Sequence, residues 1–198
     1  LLKTLASEEQ ILKVKSMDGK MMKTINFTYN VDFTIRPKDP GIEIEAPVVF
    51  AGYGYRNDKF EYNDLNKLDL KGKFILKVAG YPKFIRESMN ESDLLSFARE
   101  MDSTYKAMGS IGIIEFNPDA AVVGRTDIKE FMNMSPSEGI ARSGKPYARY
   151  SIPGKKFSDN LIRIVASVKT ANEILKGTGI SPDEYIKKAD DNAQFLIH

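Results

Sequence analysis

Over Lys20–Ile35 the apolar residues Met22, Ile25, Phe27, Tyr29, Val31, Phe33 and Ile35 fall largely on alternate positions, with polar residues between them. A period of two predicts one or two β-strands with one buried face. Asp18-Gly19, just upstream, suits a hairpin turn. Further upstream, Leu1–Lys15 mixes charged and apolar positions, and Ser7-Glu8-Glu9-Gln10 reads as a helix start or a turn. Pro37–Gly41 breaks the alternation; Ile42-Glu43-Ile44-Glu45-Ala46 resumes it and runs into the apolar stretch Pro47–Ala51. That stretch stops at Gly52-Tyr53-Gly54-Tyr55. A polar segment rich in Asn and Asp follows, then Asp69-Leu70-Lys71-Gly72-Lys73 launches a second apolar run, Phe74–Val78. The pattern is strand, glycine break, long solvated loop, tight turn, strand.

Beyond Tyr81-Pro82 the period changes. Leu94, Phe97, Ala98, Met101, Tyr105 and Met108 lie three or four residues apart, with Ser92 as an N-cap and Gly109 as a stop. Ile111–Phe116 then reads as a short buried strand closed by Asn117-Pro118. Strand, helix, strand predicts a parallel pair with a right-handed crossover. Pro118–Tyr150 has little periodicity, and a segment of that length is expected to be functional or an insertion. Leu161–Val168 is a further strand, Thr170–Gly177 a short helix, and Ser181-Pro182-Asp183-Glu184-Tyr185 starts another with Ser as N-cap and Pro in the first turn. The fold class expected is α+β, a strand-rich core with a β/α/β unit and a helical C-terminal tail.

The length, 198 residues, fits one domain or one domain with extensions, here a core of about residues 20–180 extended by 1–19 and 181–198. A formal charge of +2 with acids and bases intermixed, and no dense basic block, gives no footprint for nucleic acid. No apolar run approaches the ~20 residues that span a bilayer, and no signal-peptide pattern is present. The start at Leu1-Leu2 rather than Met implies a processed or excised piece. Cysteine is absent, and the single histidine is His198 at the chain end. Thiolate sites, cysteine nucleophiles and histidine-based triads are therefore not expected. For zinc, only carboxylates remain as ligands, and these favour harder ions.

Other chemistry is equally sparse. Gly52-Tyr53-Gly54 lacks the third glycine and following helix of a dinucleotide loop. Asp58, Glu61, Asp69 and Asp64 crowd one segment, but the spacing departs from a calcium loop, and a solvated acidic loop is the better reading. No glycine-flanked serine elbow occurs, and no acid pair is marked for glycosidic work. Within Pro118–Tyr150 the cations and aromatics Arg125, Arg142, Tyr147 and Arg149 form a candidate substrate- or partner-facing loop, with Lys145 beside them.

Three segments together resemble the protease-associated (PA) domain carried by secreted zinc aminopeptidases of the M28 type. The first is Val48-Val49-Phe50-Ala51-Gly52-Tyr53-Gly54 followed by Asp69-Leu70-Lys71-Gly72-Lys73. The second is Lys106-Ala107-Met108-Gly109-Ser110-Ile111-Gly112-Ile113-Ile114, where Ser110 replaces the family's usual Ala. The third is the ending Ile174-Leu175-Lys176-Gly177-Thr178-Gly179. The resemblance covers roughly residues 40–195. It implies a swivelling β/β/α domain that is a non-catalytic accessory of an exported M28-like metallopeptidase and shapes or caps the substrate cleft or mediates protein contacts. It further implies no cofactor in this chain, zinc in a separate catalytic domain of the same parent, that domain and a peptide or protein substrate as partners, and no nucleic acid or membrane. Two rivals stand beside it: a stand-alone or other-host peptide- or protein-binding module, and an independent enzyme using acid or lysine chemistry.

Overall fold

We describe residues 2–5, 10–18, 21–29, 31–35, 43–117, 148–151 and 161–191 of the computed structural model. In chain order they form β1 (Leu2–Leu5), β2 (Leu12–Asp18), β3 (Met21–Phe27), β4 (Phe33–Ile35), β5 (Val48–Phe50), β6 (Arg56–Asn57), β7 (Tyr62–Asn63) and β8 (Phe74–Val78). Helices α1 (Lys83–Ser88) and α2 (Glu91–Ala107) follow, then β9 (Gly112–Phe116), β10 (Ala148–Ser151), β11 (Ile162–Ala166), α3 (Val168–Leu175) and α4 (Pro182–Asp191). A 3₁₀ turn, Asp58–Phe60, separates β6 from β7.

The centre is a five-stranded mixed sheet in the order β4-β11-β9-β8-β5. Strands β5, β8, β9 and β11 are mutually parallel, and β4 closes one edge antiparallel to β11. Pairing sets Ile75 beside Ile113 and Arg163, and Lys77 beside Glu115, so these share one face; Leu76, Ile114 and Ile164 share the other with Phe50. The first face meets α2, whose Asp102 pairs with Arg163. The second meets α4, whose Tyr185 ring packs edge-on against Phe50 at 5.4 Å. Helices on both faces explain why the strand sequences read as continuous apolar runs rather than alternating ones. The architecture is mixed α/β, and Tyr185 and Ala189 of α4 belong to the core.

The parallel pairing of β8 and β9 across α2 agrees with the strand, helix, strand reading. β2 and β3 form an antiparallel hairpin whose last paired residues, Asp18 and Met21, leave a two-residue connection at the expected turn. Two expectations are corrected. Residues 43–47 are not strand: among the described residues β5 is an edge strand paired with β8, and that pairing begins at Val48 opposite Phe74, whose amide donates to the Pro47 carbonyl at 2.9 Å. The N-cap of α2 is Asn90 rather than Ser92: the Asn90 side chain accepts from the Asp93 amide at 2.9 Å and donates to the Asp93 carboxylate at 2.9 Å. This reciprocal pair satisfies one exposed helix donor and starts the helix earlier than Ser92 would.

Candidate functional site

The apolar run of β5 ends at the Gly52–Tyr55 turn, at the carboxyl end of the parallel strands, where open α/β sheets bind their ligands. Gly52 and Gly54 have φ of +56° and +75°, a backbone region that L side chains rarely adopt. A Cβ on Gly52 would overlap the Tyr185 phenol, and one on Gly54 would lie 2.6 Å from the Tyr105 hydroxyl. Both hydroxyls also bond the turn itself. Tyr53 N–H donates to Tyr185 Oη at 3.2 Å, and Tyr105 donates to the Gly54 carbonyl. The turn is thereby held by a tyrosine from α4 and a tyrosine from α2.

Beneath it lies Asp64, fully buried. Tyr185 Oη is 2.7 Å from Asp64 Oδ1, Tyr62 Oη is 2.8 Å from Oδ2, and the two phenol oxygens are 2.7 Å apart. The Tyr55 amide donates to Oδ2 at 3.4 Å. Burial pushes the Asp64 carboxyl up to about 6, against the hydrogen bonds from Tyr185, Tyr62 and the turn amides that favour its ionised form. The same burial, with the neighbouring Asp64 charge, pushes Tyr62 and Tyr185 far above the ordinary phenol range.

On the α2 side of the sheet, Lys77 of β8 is almost completely covered. Its Nζ lies 3.1 Å from Glu115 Oε1 on β9 and 4.8 Å from the centre of the Tyr55 ring. Tyr55 is itself stacked with Tyr81 and Phe97, at 4.9 and 5.2 Å. Burial alone would depress the Lys77 ammonium, but the Glu115 charge and hydrogen bond outweigh it and hold the group above its ordinary range. Lys77 is thus a cation at neutral pH rather than a free amine nucleophile. A groove of about 670 Å³ opens nearby, lined by Arg56, Asp58, Asp93, Phe97, Glu100 and Met101 among others. At its rim Arg56 and Asp58 pair at 3.1 Å.

The structure divides the acidic segment that the sequence presents as one. Asp58 pairs with Arg56 and Asp69 with Lys73, both at the surface, and Glu61 is exposed, whereas Asp64 is enclosed by tyrosines. The solvated-loop reading therefore holds for the first three and fails for Asp64, whose flanking Tyr62 and Leu65 carry it into the core. Among the described residues, no three His, Cys, Asp or Glu side chains gather as a metal site would require. Arg125, Arg142 and Tyr147 lie outside the described residues, as do Lys145 and His198. Arg149 lies on β10, opposite Thr4 of β1 in an antiparallel pair. Among the described residues no helix is long and apolar enough to cross a membrane.

Sequence reasoning did not single out Tyr62, Tyr185, Lys77 or Glu115. A signal exists for two of them: Lys77 is the lone charge in Phe74–Val78, as Glu115 is in Gly112–Phe116, each at the fourth position. In adjacent buried strands, single opposite charges at the same offset mark a cross-strand ion pair. A scan against protein-family models finds no match, and a search of curated proteins finds no match to this sequence.

Proposed function

We propose that this chain is a non-catalytic accessory domain of the protease-associated type, belonging to an exported M28-like metallopeptidase whose substrate cleft it shapes or caps. One observation carries the reading. The side chains with the most altered chemistry, Asp64, Tyr62, Tyr185, Lys77 and Tyr105, are sealed inside the domain and spent on holding the Gly52–Tyr55 turn and the sheet. Catalytic groups need contact with substrate, and a group with almost no exposed surface has none. The segments that carry the family resemblance have the same architectural role. The Gly52–Gly54 turn seats two tyrosines, and the backbone of Gly109 accepts from the Gly72 amide at 2.9 Å, tying the second motif to the first.

The groove beside α2 favours a second reading, a peptide- or protein-binding module that stands alone or serves another host. Its lining sets the apolar Phe97 and Met101 beside charged Arg56, Asp58, Asp93 and Glu100, which offers a peptide both apolar and charged contacts. Reading the coding sequence on both sides of this segment separates the two. A neighbouring region with histidine and carboxylate metal ligands beside a glutamate is the expected result; a stop codon shortly downstream, with only an export signal upstream, would overturn the cleft-capping role.

A further inference from the structure

The Asp64 cluster has three close oxygen–oxygen contacts among three groups: Asp64 with Tyr185, Tyr185 with Tyr62, and Tyr62 with Asp64, at 2.7, 2.7 and 2.8 Å. Each such distance is that of an O–H···O hydrogen bond and requires a proton between the oxygens. Two phenols supply two protons. If Asp64 is a carboxylate, one of the three contacts has no proton and sets lone pairs against each other. A third proton on Asp64 closes the set: Oδ1–H donates to Tyr185, Tyr185 to Tyr62, and Tyr62 to Oδ2, each group donating once around the ring. The amide donors fit that direction, since Tyr55 N–H points to Oδ2 and Tyr53 N–H to the Tyr185 oxygen.

We propose that at acid pH the folded chain holds Asp64 as a neutral carboxylic acid in a closed ring with Tyr62 and Tyr185, and that this ring is a pH-sensitive clasp that docks α4 on the Gly52–Tyr55 turn. The ring joins parts of the chain that are otherwise remote: Asp64 and Tyr62 come from the β6–β7 region and Tyr185 from α4. Apolar cover comes from Phe84 of α1, whose ring meets Tyr62 at 5.3 Å, and from Phe50 of β5 against Tyr185. The charged and titratable groups around it are Arg86 of α1 and Asp190 of α4, which act on Tyr53 in opposite directions, and the Tyr105 phenol of α2. Burial raises the Asp64 carboxyl in the same direction that the proton count requires.

The sign follows from linkage. A carboxyl raised from 3.8 to about 6 on folding stabilises the clasp fully below pH 3.8, and this contribution is lost as pH rises through about 6. At tenfold per pH unit, the opening equilibrium of α4 should shift toward the open form as pH rises through this window, by at most about a hundredfold, the limit reached if opening returns Asp64 to an ordinary carboxyl.

The test is the carboxyl carbon shift of Asp64 followed by NMR from pH 3 to 8, with amide exchange in α4 corrected for the intrinsic rate at each pH. A midpoint near 6 accompanied by falling α4 protection is expected; a midpoint below 4 would overturn the proposal. Asp64→Asn supplies the control, because its amide donates and accepts as the neutral acid does. The variant should retain α4 protection and lose the pH dependence. If it instead loses protection at every pH while the wild-type carboxyl titrates low, Asp64 is an ordinary buried carboxylate. Should the variant fail to fold, the wild-type titration decides alone.

Discussion

At the scale of single residues, the Gly52–Tyr55 turn is fixed by hydroxyl groups that arrive from opposite sides of the sheet. Tyr185 fills the space where a Gly52 side chain would stand, so this position is constrained twice, by φ and by volume. Gly52→Ala should cost roughly 2–4 kcal/mol in urea unfolding, the sum of left-handed strain and overpacking. Gly80→Ala is the matched control: its φ is also positive at +85°, but nothing lies within 4 Å of the added carbon. It should cost about 1 kcal/mol, for strain alone. Equal losses at the two positions would show that Tyr185 does not press on the turn. The glycines were legible as a break in an apolar run, because glycine at a strand end has a local cause. Their tyrosine partners were not, because Tyr185 meets Gly52 only through the tertiary fold. The four acids between Asp58 and Asp69 likewise look alike in sequence, and only packing separates Asp64 from the others.

At the scale of elements, what was legible is what short-range chemistry dictates. β8, α2 and β9 follow from an apolar run, a helical period and a second apolar run, and the structure pairs the two strands in parallel. Ser181 also precedes α4 as expected, with Pro182 in its first position. The antiparallel placement of β4 beside β11 and the pairing of β1 with β10 join residues far apart in the chain, and no local pattern encodes them. The start of α2 is a finer case. Asn90 and Ser92 are both strong capping types, and the choice falls to Asn90 because Asp93 stands three residues on to complete a reciprocal pair. Asn90→Ala should therefore destabilise the protein by about 1 kcal/mol, while Ser92→Ala, at an exposed position already inside the helix, should change stability by a few tenths at most. Thermal unfolding of the two variants decides between the caps, and a larger loss from Ser92→Ala would contradict the structure.

At the scale of the whole molecule, the chain places helices on both faces of a mixed sheet and uses its unusual side chains to secure that arrangement. Ion pairing buries Lys77 against Glu115, and the tyrosine–carboxyl ring buries Asp64. These are the groups to which an independent enzyme of acid or lysine chemistry would turn, and both are committed to structure. The accessory role proposed above rests on that commitment and on the order of the three sequence segments. The most direct test is turnover by the purified chain against panels of aminoacyl and peptidyl chromogenic substrates and of glycosides, each with and without added zinc. No turnover above that of a Lys77→Met, Asp64→Asn double variant is expected under any of these conditions. Saturable hydrolysis that the double variant loses while remaining folded would contradict it, because the buried groups would then be catalytic after all.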